Sequence, residues 1–264
     1  MINKEFENKK QWALILGGSS GLGLATAKKL AMHGMNIIIV HRNLKSELVQ
    51  IEEDFKALRQ LNIKFYSFNT DLLKPEKRKE VVGEIKNILN DEKIKVLVHS
   101  IAKGNLKPMN DAEHVLKNDD FHLTIDAMAI SLYDWVTSCF NAKLFAVDTR
   151  VLSFTSEGNT KAWKNYAAVS AAKVALEAIT RNIAMEFAKY GIRANCLQPG
   201  AVDTKSLRMI PGYEKIIDHS IERNPFNRIT TPEDVADVVY LLSTPEAAWI
   251  NGCVIPVNGG EHLL

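Results

Sequence analysis

Short apolar runs, several rich in Val and Ile, alternate along this chain with longer segments whose apolar residues recur at helical spacing. The strand-like runs are 12–16, 36–40, 63–68, 96–101, 144–154, 192–197 and 254–257. Between them the periodicity predicts helices near 21–33, 44–61, 75–90, 119–141, 163–190 and 232–243, with Gly34 and Gly191 placed to cap two of them in the left-handed conformation. Alternation of this kind predicts an α/β architecture: one doubly wound parallel sheet of about seven strands with helices on both faces. No long linker, repeat or low-complexity tract interrupts residues 1–264, so a single domain is expected. Two connections, 103–118 and 204–228, are longer than the rest. The second, with Leu207, Met209, Ile210, Ile216 and Ile217, reads equally as a lid over a substrate or as a short helix packed on the core.

Composition narrows the function classes. Hydrophobic residues are 46% and charged residues 24%, the balance of a globular chain with a sizeable core. Thirty-three basic and 31 acidic side chains leave a net charge of +2, which argues against a nucleic-acid or membrane-surface partner. No apolar stretch approaches the ~20 residues of a membrane helix, and MINKEFENKKQ lacks the apolar core of a secretion signal. Cys139, Cys196 and Cys253 are unclustered, so no metal site or disulfide framework is expected; as core filler in a reducing compartment they fit a cytoplasmic protein.

In a sheet of this kind ligands bind beyond the carboxyl ends of the strands. After the first strand comes LGGSSGLG, in which Gly17, Gly21 and Gly23, with Ser19, Ser20 and Leu22 among them, open an amphipathic helix. Glycines permit close backbone approach, and the helix N-terminus offers free N–H groups to a pyrophosphate. The spacing G-x3-G-x-G resembles the short-chain dehydrogenase/reductase superfamily, with Leu16 where those proteins usually carry threonine. The resemblance spans nearly the whole chain and implies a Rossmann-type fold. It implies that Asp71 and Leu72 contact adenine, although Asp71 also reads as a helix cap before Pro75. It further implies that the turn Pro199-Gly200-Ala201-Val202-Asp203-Thr204 holds the nicotinamide carboxamide. At the end of the second strand, Arg42 stands where an acidic residue would select NADH; a planar fork of donors suits a 2′-phosphate, so NADPH is preferred, with NADH possible if Arg42 is a surface residue only.

Ketone-reducing members of the superfamily carry a tyrosine four residues before a lysine. Here that position is Val169, and Tyr166 lies seven residues before Lys173. The Y-x6-K spacing resembles the enoyl-[acyl-carrier-protein] reductase branch, as does His99-Ser100-Ile101-Ala102 after the fourth strand, which implies cofactor contacts from Ser100, Ile101 and Ala102. A physical reason supports the shift. Hydride addition to an α,β-unsaturated thioester places negative charge on an oxygen several bonds from the carbon attacked, so the proton donor must stand farther away. Three residues of helix move it by about 4.5 Å on roughly the same face.

The expected activity is NADPH-dependent reduction of the carbon–carbon double bond of trans-2-enoyl thioesters. Tyr166 would stabilise the enolate oxygen, and Lys173 would hold the nicotinamide ribose and strengthen Tyr166 as a donor. Ser156, where the best-known enoyl reductases have a second tyrosine, reads as an auxiliary substrate contact or as a strand-end hydroxyl serving backbone groups. A carbonyl reductase of the same fold and a non-catalytic NADP-binding regulator remain alternatives. Partners follow from the same resemblance: an acyl-carrier-protein or CoA thioester, contacted near Lys205 or Arg208 unless these are ordinary surface charges, and a homotetramer formed through the apolar helices 119–142 and 163–190.

Overall fold

The computed structural model describes residues 4–111 and 113–264; residues 1–3 of the N-terminal stretch and residue 112 of the connection 103–118 lie outside the described residues. Seven strands, β1 (Gln11–Leu16), β2 (Asn36–His41), β3 (Phe65–Asn69), β4 (Lys93–His99), β5 (Phe145–Phe154), β6 (Ile192–Pro199) and β7 (Val254–Val257), form one sheet in the order β3-β2-β1-β4-β5-β6-β7. Every pairing is parallel. The order reverses between β1 and β4, the point at which a doubly wound sheet leaves a crevice at its carboxyl edge.

Alternation along the strands divides the core in two. Trp12, Leu14 and Leu16 of β1 face a cluster shared with helices α3 (Pro75–Leu89), α5 (Ser131–Asn141) and α6 (Ala167–Glu186). Ala13 and Ile15 face the opposite cluster, with α1 (Gly21–Met32), α2 (Leu48–Arg59) and α9 (Pro232–Ser243). The remaining helices are α4 (Asn118–Ile125), the short α7 (Lys205–Arg208) and α8 (Tyr213–Arg223). Among the described residues no helix is long and apolar enough to cross a membrane.

Gly34 and Gly191 end their helical segments at φ +89° and +77°, the left-handed caps expected. Four expectations need correction. The apolar run 96–101 overshoots: β4 begins at Lys93 and ends at His99, leaving Ser100 to Ala102 as a loop. The helix expected over 119–141 is interrupted by one π-helical turn, Asp126–Ile130, and that over 163–190 starts at Ala167, with Tyr166 as its N-cap. Cys139 and Cys196 are buried filler, but Cys253 is exposed. The connection 204–228 contains two helices, α7 and α8, both flanking the carboxyl edge of the sheet.

Candidate active site

A cavity of about 830 Å³ opens at the carboxyl ends of the strands, within the range of small-molecule sites. At one end lies the glycine turn. Gly17 adopts φ +84°, and a Cβ there would stand 2.2 Å from the Ser100 carbonyl oxygen. The β1 and β4 exits therefore approach as bare backbone, fixed by Gly17 N–H to Val40 O and Ser100 N–H to Leu16 O, each 2.8 Å. Gly21, at φ +52°, faces only the Thr204 side chain at 3.4 Å. Ser19, Ser20 and Leu22 line the cavity beside it. Gly23 does not: its missing Cβ would meet Gly17 O at 2.4 Å, so it is needed for packing the helix on the turn.

The loop after β2 is held by a network of side chains. Asn43 Oδ1 accepts from Ser19 Oγ at 2.8 Å and from His41 Nδ1 at 2.9 Å, while Asn43 Nδ2 donates to Glu47 at 3.0 Å. Glu47 also meets Lys205 of α7 at 3.2 Å, and these contacts hold its carboxyl below the usual range, led by the Asn43 hydrogen bond. Arg42 is half-exposed and lies 3.2 Å from Asp71 Oδ2. Asp71 is not the cap of α3, whose N-cap is Lys74; its Oδ1 instead accepts from Leu73 N–H at 3.2 Å in a local turn. Leu72 beside it accepts from the buried indole of Trp135 at 3.1 Å, which ties the turn to α5.

The other end of the cavity holds the reactive groups. Lys173, buried in α6, donates to the Phe154 carbonyl at 2.7 Å, and burial lowers its ammonium to about 8. The Tyr166 hydroxyl lies 3.3 Å from Ser156 Oγ, and burial raises its phenol, so it remains a proton donor at neutral pH. Ser156 therefore turns its side chain toward Tyr166 rather than capping the short helical turn Glu157–Asn159. Gly158 leaves room for the ring: a Cβ there would be 2.4 Å from Tyr166 Cε1. Val169 also lines the cavity, buried and without a hydroxyl.

Behind Lys173, His99 is buried and its imidazole is pushed down to about 3, first by burial and then by the Lys173 charge. Ser131 Oγ donates to Ala127 O within the π-helical turn at 2.7 Å, so at 2.8 Å it accepts from His99 Nε2–H, which fixes the tautomer. Ile101 and Ala102 line the cavity, as do Pro199, Gly200, Val202 and Thr204. Sequence reasoning missed Asn43, Glu47, Glu157, Asn258 and Glu261, which also line the cavity. Only the position of Asn43, one residue past Arg42, offered a signal. Among the described residues no cluster of three metal-ligating side chains occurs.

Residues 17–262 match the family described as enoyl-(acyl carrier protein) reductase. The chain belongs to this family of short-chain dehydrogenase/reductases. It is 28% identical over 254 residues to the peroxisomal 2,4-dienoyl-CoA reductase of Mus musculus, covering 95% of this chain and 83% of that protein. It is 23% identical over 251 residues to the 3-oxoacyl-[acyl-carrier-protein] reductase FabG of Staphylococcus epidermidis, covering 95% and 98%. The fold matches an enoyl-[acyl-carrier-protein] reductase (NADH) from Aquifex aeolicus VF5 with a TM-score of 0.85, at 23% identity over 98% of both chains. As a short-chain dehydrogenase/reductase, the chain is an oxidoreductase that takes a nicotinamide dinucleotide. The glycine turn, with Gly17 and Gly21 lining a cleft of sufficient volume and Gly21 leaving its face open, fits that group.

Proposed function

We propose that the protein reduces the carbon–carbon double bond of trans-2-enoyl thioesters, as an enoyl-[acyl-carrier-protein] reductase acting with NADPH. The observation that carries this reading is the reactive end of the cavity. Among the described residues Tyr166 is the one phenol lining it, and buried Val169 occupies the position from which a ketone-reducing tyrosine would act.

Reduced nicotinamide, when bound, supplies the hydride. The glycine turn with Ser19, Ser20 and Leu22 would hold the pyrophosphate, Asp71 and Leu72 would border the adenine, and Arg42 with Asn43 would receive the 2′-phosphate; all of them line the cavity. Ser100, Ile101 and Ala102, with Pro199, Gly200, Val202 and Thr204, line the cavity and would flank the cofactor. Lys173, oriented by Phe154 O, would hold the ribose hydroxyls and, as a cation, would strengthen Tyr166 as a donor. Tyr166 O–H donates to the thioester oxygen as enolate charge develops there, a contribution of about 3 kcal/mol for one well-placed donor. The acyl group arrives as a carrier-protein or CoA thioester. Exposed Leu123, Ile130 and Val174 on the helical face of α4 to α6 are consistent with a homotetramer, and the three free cysteines with the cytoplasm.

The Ser156–Tyr166 contact favours a second reading, since a hydroxyl beside the phenol also suits polarisation of a ketone. Oxidation of NADPH measured with a 2-enoyl and with a 3-oxoacyl thioester separates the two. Turnover of the enoyl substrate alone is expected; turnover of the 3-oxoacyl substrate alone would reassign the enzyme as a carbonyl reductase.

A further inference from the structure

Two residues of the loop after β5 touch the Tyr166 side chain. Ser156 Oγ lies 3.3 Å from its hydroxyl, and a Cβ on Gly158 would be 2.4 Å from its Cε1. Each stands next to a residue that donates to one carboxylate. Thr155, before Ser156, donates through Oγ1 to Glu177 Oε1, and Asn159, after Gly158, donates through Nδ2 to the same oxygen, both at 2.5 Å. Thr155 N–H is already bound to Leu197 O at 2.8 Å, so the sheet fixes the base of the loop and Glu177 ties the far end to that base. Among the described residues the buried Asn159 Oδ1 has no partner, which leaves Glu177 to order this side chain. Glu177 is not among the residues lining the cavity, so whatever it does for the reaction passes through its neighbours.

Glu177 also lies one helical turn beyond Lys173 on α6, at the i, i+4 spacing that puts both side chains on one face. Lys173 holds Phe154 O at 2.7 Å, so the pair grips the end of β5 at two successive residues. We infer that Glu177 is a positioning residue for the reaction: through Thr155 and Asn159 it sets Ser156 and Gly158 against the Tyr166 phenol, and its negative charge supports the Lys173 ammonium. The electrostatic half has a local cause. Burial lowers the Lys173 ammonium, while Cys196 and the Glu177 charge oppose that fall. Burial pushes the Cys196 thiol of β6 up and the His99 imidazole of β4 down to about 3, so both are neutral where Lys173 titrates. Glu177 is therefore the anion among the groups that act on Lys173. The inference rests on Tyr166 serving the substrate as proposed above, but not on whether a carbon–carbon or a carbonyl double bond is reduced.

Substitutions separate the two halves. Glu177→Gln keeps an oxygen that can accept from Thr155 and Asn159 but removes the charge, whereas Asn159→Ala and Thr155→Val each release one hold and keep the charge. The Lys173 titration is read without substrate, by NMR of protein carrying isotopically labelled lysine, with Lys173→Arg assigning the signal. Glu177→Gln should move that titration to lower pH by about one unit, as expected for the loss of one opposite charge nearby, and Asn159→Ala should leave it in place. Asn159→Ala should instead lower kcat about 10- to 100-fold with little change in KM, because the proton donor loses its placement, and Thr155→Val should act in the same direction. Turnover is measured with NADPH and whichever of a 2-enoyl and a 3-oxoacyl thioester the wild type reduces. Circular dichroism and thermal unfolding verify that each variant is folded; if Asn159→Ala is not, Thr155→Val carries the comparison. Wild-type kcat in the folded Asn159 and Thr155 variants would overturn the inference, because the loop would then place the phenol unaided. A Glu177→Gln protein whose Lys173 titrates as in the wild type would overturn it as well, leaving Glu177 a support of the loop alone. Turnover of the 3-oxoacyl thioester only, with both effects present, would uphold Glu177 and sink the enoyl-reductase reading instead.

Discussion

At the scale of single residues, Tyr166 and Lys173 were legible as candidates from their spacing alone, seven positions apart at the start of what is one helix. Tyr166→Phe removes one donor and leaves the ring against Gly158, so kcat/KM for a 2-enoyl thioester should fall about 10²- to 10³-fold with little change in stability. Unchanged turnover would take the phenol out of the mechanism. Lys173 gives a pH signature. Burial brings its ammonium to about 8 in the folded protein, against about 10.4 in an unfolded chain. Between those values the unfolded chain keeps a proton that the folded one has released, so stability rises with pH while the Lys173 charge is lost. Thus log kcat/KM should decline above pH about 8 with a slope near one, and Lys173→Arg, charged throughout, should not show that limb. Glu261 and Asn43 illustrate what spacing leaves unread. Asn43 meets nearby His41 and Glu47 but also Ser19 and Asn69, which are distant in sequence, and among the described residues the buried Glu261 Oε2 has no partner; no local pattern records the distant contacts or that absence.

At the scale of elements, the sequence was informative about existence and poor about ends. Hydrophobic period identified all seven strands, but an apolar loop continues the pattern of its strand, so Ser100 and Ile101 read as part of β4. The π-helical turn in 126–130 was invisible for a similar reason: inserting one residue rotates the helix without interrupting its apolar character. The link between α8 and the loop that carries Ser156 is likewise long-range. Arg223 at the end of α8 pairs with Glu157, next to Ser156, and both side chains are largely buried. Burial alone would raise the Glu157 carboxyl, but hydrogen bonds from Arg223 and Lys161 outweigh it and hold it low. That pairing contributes stability above the ordinary carboxylate range, and the contribution is lost as acid titrates Glu157. Arg223→Met should therefore lower stability at neutral pH by about 1–3 kcal/mol, read as a fall in the urea midpoint that narrows toward acid pH. It should also raise KM more than it lowers kcat, since α8 borders the chamber without supplying the phenol. An identical midpoint for variant and wild type would mean that Lys161 alone satisfies Glu157.

At the scale of the whole molecule, strand order decides where everything else can be. Because the winding reverses between β1 and β4, the glycine turn, Arg42, Asp71 and Ser100 converge on one edge of the sheet, although they lie as much as 83 positions apart in the chain. A cofactor held there would bridge elements from both sides of the switch point, and its binding should stabilise the entire fold rather than one lobe. A ligand at a hundred times its dissociation constant adds about 2.7 kcal/mol, which for a domain of this size corresponds to about 5–10 °C in Tm. Thermal unfolding with equal concentrations of NADPH and NADH thus measures the preference that Arg42 is expected to create. The guanidinium is half-exposed and faces Asp71, so its unpaired edge can take a 2′-phosphate, whereas Asp71 without it would repel one. The wild-type Tm should rise more with NADPH. In Arg42→Ala, the NADPH shift should shrink by several degrees while the NADH shift is kept, because only the phosphate loses a partner. A loss of both shifts together would show that Arg42 shapes the loop after β2 instead of reading the phosphate, and equal shifts in the wild type would make the cofactor preference indifferent to Arg42.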